Sequence, residues 1–267
     1  MTPDDRDSMT TAAMKPASIK PRPSGRGSKV RLDILLVDRG LADSREKARA
    51  LILAGKVMVD GQKSDKPGHS IDADSRVTVI EPMPYVSRGG FKLAAALDHF
   101  GINVAGWVCL DVGSSTGGFT DCLLQRGAAC VHAVDVGAGQ LDWNLRNDAR
   151  VVVHEGINAR HLRFEQIGET AALATFDVSF ISVTLILPAV VPILRSDGRM
   201  VILVKPQFEV GKGQVGKGGI VRRPELHDAA CARVADAVNA LGFETSIMES
   251  PILGAEGNKE FLLYARH

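Results

Sequence analysis

Short apolar runs alternate with helical patterns along the chain from Tyr85 onward. Between these runs apolar residues return at spacings of three and four, most clearly over Glu225–Leu241. Alternating strands and helices are typical of a mostly parallel, doubly wound sheet. The sequence therefore predicts an α/β domain of the Rossmann type with a seven-stranded sheet. The predicted strands are Val108–Val112, Cys130–Val134, Val151–His154, Thr175–Phe180, Met200–Lys205, Glu244–Glu249 and Phe261–Arg266.

The preceding segment, residues 30–82, has a different pattern that predicts a small α+β module. Leucines at helical spacing indicate a first helix that Gly40 ends, and Ser44 has the chemistry of an N-cap for a second helix. Asp60 and Gly61 favour a tight turn between short strands. The predicted elements are helices over Val30–Arg39 and Arg45–Ala54 and strands at Val57–Val59 and Arg76–Ile80.

The remaining segments separate the chain into three parts. Residues 1–29 are rich in Pro, Ser, Thr and Gly, which predicts a disordered tail. Pro82 and Pro84 flank a short connector. We therefore expect a tail over residues 1–29, a module over residues 30–82 and a larger domain over residues 85–267.

The composition is typical of a globular protein and gives no sign of a secreted or membrane-spanning one. The chain of 267 residues is 45% hydrophobic and 24% charged, as globular proteins are, and its net charge of +1 indicates no partner. Its N-terminus lacks the apolar core of a secretory signal, and no apolar run reaches the roughly 20 residues of a spanning helix. The 4 cysteines and 7 histidines show no disulfide or ligand spacing. We expect reduced cysteines, no metal, no membrane segment and a cytoplasmic location.

A glycine-rich turn follows the first strand of the larger domain. The interval from this turn to Asp135, at the end of the next strand, is about 20 residues, as between a nucleotide-binding turn and its ribose-binding carboxylate. The turn therefore indicates a cofactor that contains a nucleoside. Its residues are Asp111, Gly113, Ser114, Ser115, Thr116, Gly117 and Gly118.

Two cofactors fit such a turn. A dinucleotide site prefers glycine at the third position, where this chain has Ser115. The spacing Asp111-x-Gly113-x-x-x-Gly117 is instead that of methyltransferases that bind S-adenosylmethionine. Asp111 would then help to hold the methionine end, directly or through water, and Asp135 would accept hydrogen bonds from the ribose. Asn158 is a candidate adenine contact, and a tight turn without a ligand is the remaining alternative.

Four charged residues stand alone in apolar or glycine-rich segments. Asp177 and Lys205 lie next to strands, at the carboxyl ends where ligands collect in such sheets. Each of the four by itself is equally consistent with a helix-end charge, a strand terminator or a surface ion pair. The segments are Ser87–Leu93, Phe176–Phe180, Leu203–Gln207 and Asn258–Phe261.

Together these segments resemble a known family. The stretch "LADSREKARALILAGKVMVDGQ" resembles an S4 RNA-binding domain. With "SRGGFKL", "LDVGSSTGGFTDCLLQRGA", "FDVSFIS" and "LVKPQFE", residues 30–267 resemble the TlyA family of ribosomal RNA ribose methyltransferases, also called hemolysin A. The Lys-Asp-Lys-Glu tetrad of FtsJ-type 2′-O-methyltransferases matches Lys92, Asp177, Lys205 and Glu260. The resemblance implies S-adenosylmethionine as methyl donor and cytidine riboses of 16S or 23S ribosomal RNA as substrate.

The implied reaction suits these residue types. A sulfonium methyl carbon is already electrophilic, so the enzyme must position a ribose hydroxyl and remove its proton. We expect Lys205 to act as general base or to orient the hydroxyl, helped by Asp177 and Glu260, while Lys92 positions ribose or phosphate. Methylation of base amino groups or of cytosine carbon 5 fits less well. An Asn/Asp-Pro-Pro-aromatic segment is missing after the fourth strand, and the chain contains no Pro-Cys.

Basic residues predict contacts with the phosphates of ribosomal RNA, free or in ribosomal subunits. The S4-like module has a basic stretch between Arg39 and Lys56. A glycine-rich loop follows Lys205, and Glu209 is the only acid between Arg199 and Arg223. The predicted RNA contacts are Arg31, Arg45, Lys47, Arg49, Lys56, Arg88, Lys212 and Lys217.

Two other classes of function remain open on the sequence. One is a non-catalytic RNA-binding or ribosome-assembly factor that keeps the fold, and the complete tetrad argues against it. The other is a membrane-active hemolysin, against which the lack of a long amphipathic or apolar segment argues.

Overall fold

The computed structural model describes residues 28–80 and 83–267. The chain divides into two units, residues 1–82 and residues 83–267. Of the predicted tail only Ser28 and Lys29 belong to the described residues, and Lys29 begins the first strand. Pro82 of the predicted connector lies outside the described residues.

The first unit packs two helices against short antiparallel strands. Leu32, Leu36 and Ile52 are fully buried between them, so the predicted apolar helix faces form the core. The first helix begins later than predicted because Lys29–Arg31 are extended and pair with Ser70–Asp72. The elements are β1 Lys29–Arg31, α1 Leu32–Asp38, α2 Arg45–Leu53, β2 Val57–Val59, β3 Gln62–Ser64, β4 Ser70–Asp72 and β5 Val77–Val79.

The second unit alternates strands and helices as predicted. Its strands are β6 Val108–Val112, β7 Cys130–Val134, β8 Val151–His154, β9 Ala171–Phe176, β10 Leu194–Val204, β11 Glu244–Glu249 and β12 Phe261–Arg266. Its α-helices are α3 Gly89–His99, α4 Gly118–Gln125, α5 Trp143–Arg146, α6 Phe164–Ile167, α7 Leu187–Val190, α8 Pro206–Glu209 and α9 Pro224–Asn239. Among the described residues, no helix is both long and apolar enough to cross a membrane.

The seven strands form one sheet in the order β11-β12-β10-β9-β6-β7-β8. The strands from β8 to β10 pair in parallel, whereas β12 pairs antiparallel with both β10 and β11. Strand order reverses between β6 and β9, which is the point where ligands bind in such sheets. The sheet therefore places its site beside the ends of β6 and β9.

The strand predicted over Thr175–Phe180 is wrong in position, because β9 begins at Ala171 and ends at Phe176. Its first residues include three alanines, which have low β propensity, so the run gives a weak strand signal. All six residues of β9 are buried within the sheet. Burial in the sheet outweighs local preference here, and Asp177 is left just beyond the strand.

Candidate active site

The glycine turn joins β6 to α4 at the reversal of strand order. Gly113 has a φ of 86°, and a Cβ on it would lie 2.6 Å from the carbonyl oxygen of Asp177. The backbone N–H groups of Gly113 and Ser114 both donate to the carbonyl of Val134. Only glycine allows the ends of β6 and β9 to approach so closely.

The carboxylate of Asp135, after β7, is hydrogen-bonded to this turn. Its Oδ2 accepts from the backbone N–H of Ser115 at 2.8 Å, and its Oδ1 accepts from that of Gly137 at 2.7 Å. A carboxylate offers about four acceptor positions, so capacity remains for ribose hydroxyls. Asn158 precedes a 3₁₀ turn, and its Oδ1 accepts from the N–H of Arg160. Gly113, Ser115, Asp135 and Asn158 all line a groove of about 520 Å³, here called the turn groove.

Asp111 lies beneath the turn and does not line the groove. It is fully buried, and its two oxygens accept from the hydroxyls of Thr120 at 2.7 Å and Thr175 at 3.0 Å. Burial raises the pKa of Asp111 to about 7. Asp111 ties β6 to α4 and β9 from within the core, so this geometry provides no direct contact with a ligand.

Lys92 and Glu260 form a buried ion pair. Lys92 lies on α3 and Glu260 immediately precedes β12, and their Nζ and Oε2 atoms are 2.5 Å apart. Lys92 is 8% exposed and Glu260 is 3% exposed. Because β12 runs antiparallel to β10, its first residue Phe261 is paired with Val204 at the end of β10. This register brings Glu260 to the edge of the sheet where Lys205 follows β10.

Lys205 forms the second ion pair of the tetrad. Its Nζ lies 2.6 Å from Oδ1 of Asp177 and donates to the hydroxyl of Ser179 at 2.9 Å. From the sequence we expect both Asp177 and Glu260 to orient Lys205. In the structure Asp177 does so, whereas Glu260 pairs with Lys92.

All four tetrad residues line one cavity of about 710 Å³, here called the tetrad cavity. Gly113, Ser114, Ser115 and Thr116 of the turn line the same cavity, as does Gly118 at the start of α4. Gly117 is buried behind this lining. The tetrad cavity and the turn groove share lining residues, so the two spaces adjoin at the glycine turn. The shared residues are Gly113, Ser115, Asp177, Ser179 and Phe180.

Two aromatic residues beside the tetrad were not among the residues predicted from the sequence. Phe180 is 92% exposed and has a φ of 67°, a backbone conformation that is strained for a bulky residue. Its ring centroid lies 5.4 Å from that of Phe208. The available signal was an aromatic residue three positions after the candidate acid Asp177, which follows a strand. Gln207 also lines the cavity, and within the described residues its buried Oε1 has no hydrogen-bond partner.

The basic residues predicted to contact RNA occupy different settings. In the first unit Arg31 and Arg45 both pair with the buried Asp33, and Lys47 pairs with Asp43. The side chains of Arg31 and Arg45 remain about half exposed, at 46% and 56%. Arg49 is exposed and Lys56 is partly buried. These side chains therefore keep donors available at the surface.

In the second unit Arg88 is exposed and lines the tetrad cavity. Lys217 is exposed on the glycine-rich loop, and the side chain of Lys212 lies outside what the structure describes. Asn258 anchors the end of this loop. Its Oδ1 accepts from the N–H of Val221, and its Nδ2 donates to the carbonyl of Gly219, both at 3.0 Å. The loop is thereby held against the segment that carries Glu260.

Family models match both units of the chain. The model described as FtsJ-like methyltransferase matches residues 85–267, and the model described as S4 domain matches residues 30–77. These matches confirm the predicted fold class, with an S4 domain ahead of a Rossmann-like methyltransferase domain.

Similar proteins cover most of the chain. The 16S/23S rRNA (cytidine-2′-O)-methyltransferase TlyA of Mycobacterium tuberculosis is 50% identical over 241 residues, which are 89% of this chain and 90% of that protein. Hemolysin A of Brachyspira hyodysenteriae is 44% identical, covering 88% of this chain and 99% of that protein. A solved structure of a hemolysin-type protein from Streptococcus thermophilus has a TM-score of 0.68 at 44% identity, covering 89% of this chain and 88% of that one. The chain therefore belongs to the TlyA family of FtsJ-like, S-adenosylmethionine-dependent methyltransferases that carry an S4 domain.

Proposed function

We propose that this enzyme transfers a methyl group from S-adenosylmethionine to the ribose 2′-oxygen of cytidine in 16S ribosomal RNA, 23S ribosomal RNA or both. The observation that carries the proposal is the single cavity that the four tetrad residues line together with the glycine turn. The printed activity of the Mycobacterium tuberculosis relative agrees with it. The proposed substrate implies a cytoplasmic enzyme.

The residues of the turn groove fit a methyl donor that contains a nucleoside. Gly113 has no side chain to fill the space beside Asp177, and the carboxylate of Asp135 can accept hydrogen bonds from ribose hydroxyls. The amide of Asn158 is available for the adenine. S-adenosylmethionine supplies an electrophilic methyl group on its sulfonium. This chain then has to hold the acceptor hydroxyl in line with that methyl group and remove its proton.

Phe180 and Phe208 provide the surface for the acceptor nucleotide. Bases that leave an RNA stack commonly lie on aromatic faces, each contributing about 1–3 kcal/mol. The exposed ring of Phe180 borders both the tetrad cavity and the turn groove. A cytosine stacked on Phe180 would place its ribose near Lys205.

Lys205 is the group that contacts the 2′-hydroxyl. A lysine ammonium has three N–H donors, and Asp177 and Ser179 engage two of them. The third position of Nζ is available to the 2′-hydroxyl. As the oxygen attacks, Lys205 gives a proton to the carboxylate of Asp177 and its amine takes the proton of the hydroxyl, so Lys205 ends as an ammonium and Asp177 ends protonated. Lys92 and Glu260 provide a second fixed pair of charges that positions the ribose and its phosphate.

The test compares Lys205→Met with Lys259→Met. Lys259 is an exposed lysine that pairs with Glu249 and does not line the cavity, so it is the matched control. Transfer of a labelled methyl group to ribosomal subunits prepared without this enzyme should fall about 10²–10⁴-fold for Lys205→Met, because a general base contributes that much. The Lys259→Met variant should behave as wild type. Mapping ribose methylation with and without the enzyme then identifies the nucleotide.

Two results would contradict the proposal. Methyl transfer by Lys205→Met within about threefold of wild type, with substrate binding intact, would remove Lys205 from the chemistry. Wild-type protein that binds ribosomal RNA and transfers no methyl group would instead be an RNA-binding or ribosome-assembly factor.

The salt dependence of RNA affinity tests whether the S4 domain and the basic loop contact phosphates. Affinity for ribosomal RNA should fall steeply as salt rises, and the slope should shrink by about 1 for each phosphate contact removed by Arg49→Gln or Lys217→Gln. Affinity for S-adenosylmethionine should change little over the same range. A flat salt response of RNA binding would count against these contacts.

A further inference from the structure

A buried histidine lies on one face of the sheet, outside the tetrad cavity. His132 is in the middle of β7 and is 3% exposed. Side chains alternate along a strand, so Cys130, His132 and Val134 share one face while Val131 and Ala133 pack into the core on the other. A buried imidazole needs partners for both ring nitrogens. Those partners are polar groups from two other places in the sequence.

Both ring nitrogens of His132 have close partners. Its Nδ1 lies 3.0 Å from Nε2 of His154 on β8, and its Nε2 lies 3.1 Å from Oε1 of Glu169. The Sγ of Cys130, a ring nitrogen of His132 and a carboxylate oxygen of Glu169 all lie within 4.8 Å of one another. A sulfur, a nitrogen and an oxygen therefore converge on one point beside the sheet.

This cluster belongs to a different part of the sheet from the tetrad. Cys130 is the first residue of β7, and Glu169 lies two residues before the start of β9. These are amino ends of strands, whereas Asp177 and Lys205 follow carboxyl ends. None of the cluster residues lines the tetrad cavity or the turn groove. The position indicates a structural role, separate from methyl transfer.

We propose that Cys130, His132 and Glu169 bind one Zn²⁺ ion. Thiolate, imidazole and carboxylate are all zinc ligands, and three protein ligands leave a fourth position for water. Sulfur and nitrogen ligands select zinc over Mg²⁺ and Ca²⁺, which prefer oxygen. The two anionic ligands balance the charge of the ion. Binding replaces the S–H bond of Cys130 with an S–Zn bond and releases that proton to solvent.

His154 has a supporting role in this site. A metal-bound histidine usually directs its other ring N–H to a fixed partner, which sets the orientation of the ring. Nδ1 of His132 lies 3.0 Å from Nε2 of His154, and the two rings stack with centroids 5.3 Å apart. In the zinc-bound protein Nδ1 of His132 would be the donor of this hydrogen bond. The Nε2 lone pair of His132 is then directed at the ion. Glu169 has a half-exposed side chain, at 50%, and can move to admit the ion between the two groups.

The ion would connect strands that are not neighbours. The sheet order places β6 between β7 and β9, so Glu169 reaches past β6 to the face of β7. Zinc bound there would fix the start of β9 to the β7–β8 edge of the sheet. Occupied protein should therefore unfold at a higher temperature than protein stripped with a chelator.

The experiment titrates Zn²⁺ into the full chain, stripped with a chelator and purified without a polyhistidine tag. Calorimetry in two buffers of different ionisation enthalpy should give one zinc per chain and release of about one proton. Titration with Co²⁺ should give the visible bands of a four-coordinate site and a sulfur-to-cobalt charge-transfer band. Cys130→Ser should abolish that charge-transfer band, because it removes the only proposed sulfur ligand.

Matched variants separate the cluster from the rest of the chain. Cys130→Ser and His132→Gln should each lower zinc affinity more than His154→Phe, for which loss of an outer partner should cost about 10–100-fold. Cys231→Ser removes a thiol outside the cluster and Glu165→Gln an exposed acid outside it, and neither should change zinc binding. Circular dichroism checks that each variant is folded. Glu169→Gln changes a proposed ligand at the surface and should lower zinc affinity without disturbing the buried part of the sheet. Wild type that binds no zinc, or cluster variants that bind it as wild type does, would overturn the proposal.

Discussion

Among the residues that the structure describes, two aspartates are fully buried, one in each unit, and their surroundings move their pKa values in opposite directions. Asp33 accepts hydrogen bonds from Arg31 and Arg45, and chiefly the bond from Arg31 lowers its pKa to about 2. Asp111 has only the hydroxyls of two threonines, and burial raises its pKa to about 7. The same side chain at the same burial therefore favours opposite protonation states.

The difference between Asp33 and Asp111 shows that the partners of a buried carboxylate decide whether it ionises. A cationic partner compensates for the water that a buried carboxylate loses, whereas neutral hydroxyls compensate only in part. The tetrad follows the arrangement of Asp33, because Asp177 and Glu260 each have a lysine partner. Asp177 and Glu260 thus each face a cationic partner beside the cavity, while Asp111 contributes hydrogen bonds to the core. Three substitutions test this division, in order of decreasing effect.

Lys92→Met should have the largest effect, because it removes the cation from Glu260. Breaking a buried ion pair by removing one partner costs about 3–5 kcal/mol of unfolding free energy. Methyl transfer should also fall, by about 10²-fold or more, if this pair positions the ribose. Urea unfolding and methyl transfer to ribosomal subunits measure the two effects.

The double variant Lys92→Met with Glu260→Gln separates stability from catalysis. Removing the second charge should restore much of the unfolding free energy, because no uncompensated charge stays buried. Methyl transfer should stay low. If the free energy of unfolding of Lys92→Met equalled that of wild type, Glu260 would not need its lysine partner. The pair of Lys92 and Glu260 would then differ from the pairing of Asp33 with its arginines.

Asp111→Asn should have the next effect, and it should depend on pH. The folded-state pKa of about 7 is above the ordinary value of 3.8, so folded protein holds a proton between these values that unfolded protein releases. Stability from this group is complete below about pH 4 and is lost as pH rises toward about 7. The loss is at most about 1.4 kcal/mol per pH unit. Asparagine cannot ionise, so the variant should lose this part of the dependence.

Urea unfolding at about pH 5 and about pH 8 measures this change. The difference between the two pH values should be smaller for Asp111→Asn than for wild type. Equal differences in both proteins would show that Asp111 keeps its charge in the core, as Asp33 does.

Asp33→Asn should have the smallest of the three effects. Its arginine partners are about half exposed, so losing these bonds should cost about 1–2 kcal/mol in the unfolding of the S4 domain. The stability that the charge contributes is present above about pH 4 and is lost as pH falls toward about 2, the reverse of Asp111. Urea titration followed by amide hydrogen exchange of α1 and α2 measures the change. The exposed pair of Asp43 and Lys47 is the control, and Asp43→Asn should change much less.

Local pattern was enough to predict much of the larger domain. Strands β6, β7, β8, β11 and β12 begin and end where the apolar runs predicted, because alternation and length identify them. Prediction was wrong where local preference and tertiary burial disagree. The alanine-rich β9 is an example, and so is Lys29–Arg31, which becomes a strand only by pairing with β4.

The sequence by itself determined the order of the elements, the glycine turn before α4 and the presence of four tetrad residues in family order. These are properties of neighbouring residues. Only the tertiary structure decided which charges meet. Lys92 and Glu260 are 168 residues apart, and Glu260 reaches the tetrad because β12 runs antiparallel to β10. Cys130 and His132 share a face because side chains alternate along β7, but only the sheet order brings Glu169 to them. Which side chains pair with one another depends on sheet order and strand direction, and no local sequence pattern contains that information.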